Sequence, residues 1–346
     1  MSPDSRWTNP FYFGSTRLRN PVLYAPLAGC SDYPFRQMTS RYEPGIVYCE
    51  MVKMDALVRN DTHTYRLLDY EAAMHPIGAQ LCGSKPKIAG QCAKIIEDLG
   101  FDVIDLNCGC PVDKVTKDGS GSGMLKTPEL IGEVLSEIVS AVKIPVTVKV
   151  RAGWDEQSIN APWITRLAEK AGAKAITVHG RTRAQGYKGP ANWDFVKACK
   201  EAAQDILVIG NGDVFDAESA FRMVEYTGCD AVLVARGTMG KPWIAEDIIR
   251  KAQGLEKIER TSNDVREALL THFHLILQYR NEKQSLLDFR RVGCWYLKQC
   301  EGVKDLRVAL NRAASSVDVM HLIEQFHWKD VALSQGSADA DLVMSQ

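Results

Sequence analysis

Residues 102–111 read DVIDLNCGCP, and this stretch decides how we interpret the fold. Val103, Ile104 and Leu106 form an apolar run that is typical of a strand buried on both faces. A glycine and a proline then prevent the strand from continuing, so an amide side chain and two cysteines stand at its carboxyl end. This stretch predicts a buried strand that places amide and thiol side chains at the edge of the sheet, where they can act on a ligand.

A glycine-rich segment, residues 117–123 with the sequence KDGSGSG, follows this turn. Glycine loses much backbone entropy when it is ordered, so we expect the segment to order only when it closes over a ligand. We therefore predict a lid beside the cysteine-bearing turn.

Further apolar runs recur along the chain, and segments of helical period lie between them. One helical segment opens with Thr127 and Pro128, which predict a cap followed by a proline at the first helical position. With the run at 102–107 included, eight strands are predicted, at residues 22–26, 46–50, 77–82, 102–107, 146–151, 175–179, 206–210 and 231–235.

Eight strands that alternate with helices predict an α/β fold, a (β/α)8 TIM barrel within residues 1–255. A doubly wound sheet is the alternative, but no Gly-x-Gly-x-x-Gly follows the first strand. Residues 11–13, followed by Gly14, predict a short hairpin or plug strand ahead of the barrel. Since TIM barrels bind ligands at the carboxyl ends of their strands, the polar residues at those ends are candidate site residues.

From residue 263 the pattern is helical only, which predicts a small all-α domain over 263–330 and a disordered tail over 335–346. The formal charge of -1 excludes a uniformly basic nucleic-acid binder. Residues 280–312 nevertheless hold 8 Lys or Arg against 4 Asp or Glu, net +4, which leaves -5 for the rest of the chain. A polyanionic partner would have to bind this local patch.

The ten cysteines have no repeating spacing, the first residues lack a signal-peptide pattern, and no run of 18 apolar residues occurs. We expect reduced thiols, a cytoplasmic location and no membrane association. Cys108 and Cys110 form a lone Cys-x-Cys without a second pair or a histidine cluster, so we predict no metal site.

Lys149 and Arg151 alternate within a strand of valines, so both should project to the same side, into the barrel mouth. Burying two cations together is unfavourable unless an anion or an electron-rich ring meets them. Pairing with Asp105 or Glu50 is the structural alternative. Cys110 is a candidate proton donor, because a thiol with a pKa near about 8.5 is mostly protonated at neutral pH.

Two glycine-bearing turns end the seventh and eighth predicted strands, at residues 211–213 and 235–238. In TIM barrels these turns form the usual phosphate site, where backbone N–H groups receive the anion. His179 ends the sixth strand, and taken alone it fits a packing role equally well.

Together these motifs resemble the flavin-dependent tRNA-dihydrouridine synthases, and they are most similar to the bacterial B-type branch. The resemblance spans about residues 10–325. The motifs that carry it are APLAGCSD at 25–32, QLCG at 80–83, DLNCGCP at 105–111, VKVR at 148–151, HGRTR at 179–183, NGD at 211–213 and the segment from Phe289 to Leu297.

The resemblance implies an FMN in the barrel mouth and NADPH as the reductant. Lys149 would lie at the N1 and O2 edge of the flavin and stabilise its reduced, anionic ring. The residues implied to hold the cofactor are Pro26, Leu27, Ala28, Gln80, Lys149, His179, Asn211, Gly212, Asp213, Ala235 and Arg236.

The implied substrate is tRNA, in which a uridine receives hydride at C6 and a proton from Cys110 at C5. The uridine must be extruded from folded tRNA, at a cost of a few kcal/mol. We expect phosphate contacts from the helical domain to offset this cost, with exposed solvated cations as the alternative. The residues implied to contact the substrate are Asn107, Arg151, Arg290, Arg291 and Lys298.

Two positions depart from the family pattern, because Ala235 stands where glycine is usual and Val292 where histidine is common. One alternative function is an FMN barrel that reduces a small molecule, as a dihydroorotate-type dehydrogenase or an ene-reductase does; the helical domain argues against it. Another is a tRNA-binding protein without redox function, against which Cys110 and Lys149 argue. We expect a monomer.

Overall fold

Eight parallel strands form a closed barrel in the computed structural model, which describes residues 5–329 and residue 333. The strands lie within two residues of their predicted bounds. They are β1 (Val22–Tyr24), β2 (Ile46–Tyr48), β3 (Ile77–Cys82), β4 (Val103–Cys108), β5 (Val146–Arg151), β6 (Ala175–His179), β7 (Leu207–Asn211) and β8 (Ala231–Val234).

Each strand pairs in parallel with its two neighbours, and the pairing of β8 with β1 closes the barrel, with Val232 opposite Val22. The predicted TIM barrel is therefore confirmed, and the doubly wound sheet is excluded. A two-residue strand, Val52–Lys53, adds to the carboxyl end of β3.

Helices surround the barrel because each presents one apolar face to the strands. Helix Pro128–Ala141, for instance, buries Ile131, Val134 and Leu135. It starts at the predicted proline, but Thr127 makes no side-chain cap, because its backbone (φ -137°, ψ 69°) is outside the usual capping conformation. The other helices of seven or more residues around the barrel are Tyr33–Ser40, Pro86–Asp98, Ala161–Lys170, Asp194–Ala202, Ala217–Thr227 and Ile244–Ala252.

An antiparallel hairpin of Phe11–Phe13 and Thr16–Leu18 closes the amino end of the barrel. Phe13 and Leu18 are fully buried and belong to the same apolar cluster as residues at the base of the strands, among them Val103. The Thr16 hydroxyl donates to the carbonyl of Asp102, the residue before β4. The predicted hairpin therefore acts as the floor of the barrel.

The chain from residue 262 to 325 is helical, as predicted. This segment packs on helix Tyr33–Ser40, where the Phe35 ring meets Trp295 edge-on at 6.2 Å between centroids and Tyr33 stacks on Tyr279 at 4.7 Å. The predicted tail, residues 335–346, lies outside the described residues. The four helices are Ser262–Tyr279, Glu282–Leu297, Lys304–Arg312 and Ser316–Gln325.

The glycine-rich segment differs from the predicted lid. Residues 120–125 are buried, and Gly121–Lys126 form a 3-10 helix against the turn after β4. Gly121 adopts φ +57°, and a Cβ there would lie 3.0 Å from the Cys110 carbonyl oxygen. The glycines thus allow close backbone approach, and the second half of the segment is a fixed support of the turn.

No helix of the described chain is long and apolar enough to cross a bilayer.

Candidate active site

Cys110 stands on a turn that Asn107 holds from within. The side-chain oxygen of Asn107 accepts hydrogen bonds from the backbone N–H groups of Gly109, at 3.1 Å, and Cys110, at 2.9 Å. On the other side, the N–H and hydroxyl of Ser122 both donate to the Cys110 carbonyl, at 3.1 and 2.8 Å. The turn is therefore fixed on both sides while the free thiol remains half-buried.

Burial raises the pKa of the Cys110 thiol above its ordinary value. The Val112 backbone N–H and the nearby cations Arg151, Lys53 and Lys149 act in the opposite direction. The thiol thus keeps its proton at neutral pH, and the surrounding positive groups stabilise the anion that remains once the proton leaves. This combination suits a proton donor.

Lys149 brings a half-buried ammonium to the barrel mouth. Within the described chain its Nζ makes no hydrogen bond or ion pair, so the alternative, a pairing with Asp105 or Glu50, is not formed. Glu50 instead accepts from the Gly29 backbone N–H. Desolvation and then Arg151 lower the pKa of Lys149 to about 8, against the opposing effect of Asp105. An anionic or electron-rich ligand would restore the charge that burial disfavours.

Arg151 is buried and bound to backbone carbonyls. Its Nε donates to Gly109 at 2.9 Å, and its Nη1 donates to Thr182 at 2.9 Å and to Gly186 at 2.8 Å. Burial lowers the pKa of Arg151 to about 10. These bonds tie the Cys110 turn to the loop after β6, which leaves Nη2 alone for the expected contact with uracil.

Backbone N–H groups collect where β7 and β8 end. Gly212 (φ +119°) and Asp213 (φ +56°) form a left-handed bend that faces the short 3-10 turn Arg236–Thr238. Nothing in the described chain accepts from the N–H groups of Gly212, Asp213, Arg236 or Gly237. A cradle of this kind suits the phosphate of a cofactor.

Asp213 lines this cradle but cannot itself bind an anion, because its side chain is negative. Its carboxylate accepts from Arg181 at 2.8 and 2.9 Å, from Arg236 at 3.2 Å and from the Ala191 N–H at 2.7 Å. The contact with the cofactor predicted for Asp213 would therefore come from its backbone N–H, because its carboxylate is engaged by these donors. It holds two guanidinium groups beside the cradle.

His179 and Asn211 lie side by side at the ends of β6 and β7, where they are register partners. Burial, followed by Arg151 and other cations, holds the pKa of His179 well below its ordinary value, so the ring is neutral. The Asn211 amide donates to the Leu233 carbonyl at 2.8 Å and thereby ties β7 to β8. Ala235 is half-buried at the bend between β8 and Arg236.

Of the remaining predicted cofactor residues, three follow β1 and one, Gln80, lies on β3. Pro26 is half-buried, Leu27 is buried and Ala28 is exposed. Gln80 is buried, and its amide donates to Asp105 and accepts from Asn107, both at 2.7 Å. One N–H of Gln80 is left for a ligand.

The predicted tRNA-contact residues separate into two groups. Arg290 and Lys298 are exposed, and neither forms an ion pair within the described chain. Arg291 is half-buried, 3.8 Å from an Asp288 carboxylate oxygen and 5.6 Å from the Trp295 ring centroid. Its guanidinium thus has neighbours within the helical segment but remains partly exposed, and its contact with tRNA stays a prediction.

Several residues of the site were not assigned a role from the sequence. Ser122 lies in the supposed lid, Thr147 looked like an ordinary strand residue, and Arg181 was noted only as part of a motif. Asp105 was considered only as a partner for Lys149, although a single acid in an apolar strand indicates a buried polar contact. No group of three His, Cys, Asp or Glu side chains converges as a metal site in the described chain.

The closed barrel, with a protonated thiol, an unpaired ammonium and an N–H cradle at its mouth, defines a TIM-barrel enzyme of the cofactor-binding class. The family model described as dihydrouridine synthase (Dus) matches residues 23–331. The chain belongs to this family, and the resemblance read from the motifs is confirmed.

Curated relatives agree with this assignment over nearly their whole length. A probable tRNA-dihydrouridine synthase of Rickettsia bellii is 35% identical over 91% of this chain and 97% of its own. A tRNA-dihydrouridine synthase B of Vibrio vulnificus is 34% identical over 90% and 97%, and one of Pseudomonas aeruginosa is 34% identical over 90% and 94%.

Solved structures share the fold. Histamine dehydrogenase from Rhizobium sp. 4-9 superimposes with a TM-score of 0.55 at 15% identity, over 77% of this chain and 50% of that chain. The 6-hydroxypseudooxynicotine amine oxidase of Pseudomonas geniculata gives the same score and identity over 78% and 53%. This chain therefore spans about half the length of either protein, and at 15% identity the likeness shows the fold alone.

Proposed function

We propose that this protein is a tRNA-dihydrouridine synthase that reduces the C5–C6 double bond of uridine, with FMN as bound cofactor and NADPH as reductant. The observation that carries the proposal is that one barrel mouth holds both a protonated thiol, Cys110, and an ammonium, Lys149, that has no ion-pair partner in the described chain. Family membership and the names of the relatives support the same reaction.

The donors in the mouth fit FMN. The N–H cradle at residues 212–213 and 236–237, with the Arg236 guanidinium beside it, suits a dianionic phosphate. Lys149 suits the pyrimidine edge of a flavin, where its positive charge favours the reduced form. A bound flavin would supply the hydride chemistry between the nicotinamide and C6 of the uracil ring.

Cys110 completes the reduction. As the C5–C6 π bond is lost, C5 takes the proton of the Cys110 thiol, so a thiolate remains on the protein and is protonated again from solvent. Arg151 and Lys149 lower the energy of this thiolate. Burial favours the protonated thiol until the proton is transferred to C5. The turn that Asn107 holds fixes the backbone position from which the thiol extends.

The helical segment supplies the tRNA surface in this proposal. Arg290 and Lys298 are exposed cations in the middle of the net-positive stretch 280–312. Phosphate contacts of this kind contribute sequence-independent affinity, which offsets the cost of extruding a base.

Incubation of the purified protein with FMN, NADPH and tRNA that lacks dihydrouridine tests the proposal. Mass spectrometry of nuclease fragments should reveal a uridine that gains two hydrogens, and it should also identify the position. Faster reduction of a free pyrimidine or enone than of tRNA would favour a small-molecule reductase. A preparation that binds tRNA but takes up no flavin would favour a redox-inactive binding protein.

A further inference from the structure

We infer that Asp105, buried beneath the mouth, is a positioning residue that fixes the direction of a hydrogen-bond chain and, through it, the turn that carries Cys110. The inference rests on the proposed function only for the importance of that thiol. Nothing in the family match or in the names of the relatives assigns a role to Asp105.

The chain begins in a layer of three register neighbours inside the barrel. Gln80 on β3 lies opposite Asp105 on β4, which lies opposite Thr147 on β5. The Gln80 amide donates to one carboxylate oxygen of Asp105 at 2.7 Å, and the Thr147 hydroxyl donates to the other at 2.7 Å. Asp105 is buried, so these are its polar contacts in a region without access to bulk water.

The chain continues upward through Asn107, two residues along β4 on the same face. Its side-chain N–H donates to the Gln80 amide oxygen at 2.7 Å. Its side-chain oxygen then accepts the N–H groups of Gly109 and Cys110. An unbroken series of hydrogen bonds thus links the buried carboxylate to the backbone of the proton donor.

Both ends of this series favour the same direction, because the backbone N–H groups of Gly109 and Cys110 can only donate and the Asp105 carboxylate can only accept. An amide side chain has a donor end and an acceptor end, and rotation by half a turn exchanges them, whereas a carboxylate can only accept. Asp105 therefore forces Gln80 to point its nitrogen down and its oxygen up. Gln80 in turn forces Asn107 to offer its nitrogen, which leaves the Asn107 oxygen toward the turn.

The orientation of the Asn107 amide matters because the two groups that hydrogen-bond to its oxygen, the N–H groups of Gly109 and Cys110, can only donate. If the Asn107 amide were reversed, its NH2 would face two backbone N–H groups, and the turn would have to move to relieve them. Thr147 cannot replace this control, since a hydroxyl rotates and can either donate or accept. At the buried end of the series, the carboxylate is therefore the group that opposes a reversal of Gln80 and Asn107.

A charge-conserving exchange separates this role from ordinary core packing. In Asp105→Asn the new amide can offer an NH2 to Gln80, which permits Gln80 and Asn107 to reverse. Adding Asn107→Asp restores an acceptor under the turn. The series from the new amide at position 105, through Gln80, to the new carboxylate at position 107 is then complementary again, in the opposite direction. Thr147→Val is the matched control, because it removes a hydrogen bond to the same carboxylate without reversing anything.

The readout is the rate at which iodoacetamide alkylates Cys110, measured by peptide mass spectrometry with half-buried Cys294 as internal reference, together with the melting temperature. We expect D105N to change the Cys110 rate about tenfold or more and to lower the melting temperature. The double variant D105N/N107D should return the rate to within about twofold of the wild type and recover most of the melting temperature, and T147V should stay within the same twofold range.

The inference is overturned if D105N leaves the Cys110 rate unchanged, or if T147V changes it as much as D105N does. It is also overturned if D105N/N107D has no higher melting temperature than D105N, or if its Cys110 alkylation rate is no closer to that of the wild type. The assay uses no redox turnover. A restored rate in the double variant would therefore support the inference even if the wild-type protein formed no dihydrouridine, and that second result would count against the proposed function alone.

Discussion

The backbone N–H of Cys110 donates to the side-chain oxygen of Asn107 at 2.9 Å, so the thiol and the residue that holds it belong to one four-residue turn. Ser122 contacts the Cys110 carbonyl from the glycine-rich segment on the other side. The backbone at Cys110 is therefore fixed, and only its side chain is left to respond to a substrate.

Cys110→Ala should separate the two halves of the proposed reaction. Removal of the proton donor should lower dihydrouridine formation by about 100- to 10,000-fold, while the flavin stays bound and NADPH reduces it at the wild-type rate. Stopped-flow absorbance follows the first half and mass spectrometry of tRNA the second. Cys294→Ala, at a half-buried cysteine of the helical segment, is the control and should be fully active. Full turnover in C110A would refute the proton-donor role.

Lys149→Met should stabilise the flavin-free protein at neutral pH. The pKa of Lys149 is about 8 when folded, against 10.5 for an unburied lysine, so between pH 8 and 10.5 the unfolded chain binds more protons and stability rises with pH. Below pH 8 the buried charge costs roughly 1 to 3 kcal/mol, with allowance for its remaining solvent contact.

Urea unfolding of both flavin-free proteins from pH 7 to 10 checks this expectation. The advantage of K149M should be largest at pH 7 and should shrink as pH rises toward 10. A difference that does not vary with pH would show that packing, not charge, causes it. With flavin added, the same variant should be reduced by NADPH more slowly than the wild type.

Gly237→Ala should weaken flavin binding about tenfold or more, because a Cβ at this position would lie 2.4 Å from the Val214 carbonyl oxygen and would push the N–H cradle apart. Flavin fluorescence titration measures the effect. Gly132→Ala is the matched control, since a Cβ there meets nothing nearer than 3.8 Å and the position is helical. Equal flavin affinities for the wild type, G237A and G132A would show that the N–H cradle does not bind the phosphate.

Arg290→Glu and Lys298→Glu should each weaken tRNA binding and make it less dependent on salt, because each removes about one phosphate contact. Filter binding between about 50 and 200 mM salt measures both quantities. Lys143→Glu makes the same charge change at an exposed residue just before β5. This residue lies at the amino end of the barrel, opposite the mouth, and the variant should leave affinity nearly unchanged. A loss in K143E as large as in the other two would indicate only a net-charge effect.

The sequence was sufficient for the barrel because each strand is a short apolar run between turn residues, and because the ends of those runs carry the polar groups. Lys149 and Arg151 were correctly read as projecting to one side from their spacing alone. That reading needs no partner strand, since alternation within a strand is a local property.

The contacts between strands were beyond the sequence. That Asp105 meets Gln80 and Thr147 depends on the register of three strands, which only the closed barrel defines. The burial of residues 120–125 likewise depends on the turn that they support. In both cases the contact joins segments that the sequence alone does not place side by side.

The hairpin that floors the barrel has a consequence for the order of events. Because Phe13 and Leu18 close the amino end, the nicotinamide and the nucleobase of the proposed reaction would enter and leave by the same opening. If both react at the same face of one cofactor, they cannot occupy the mouth at the same time. The steady-state kinetics should then follow a ping-pong scheme, in which the two molecules compete for one binding position.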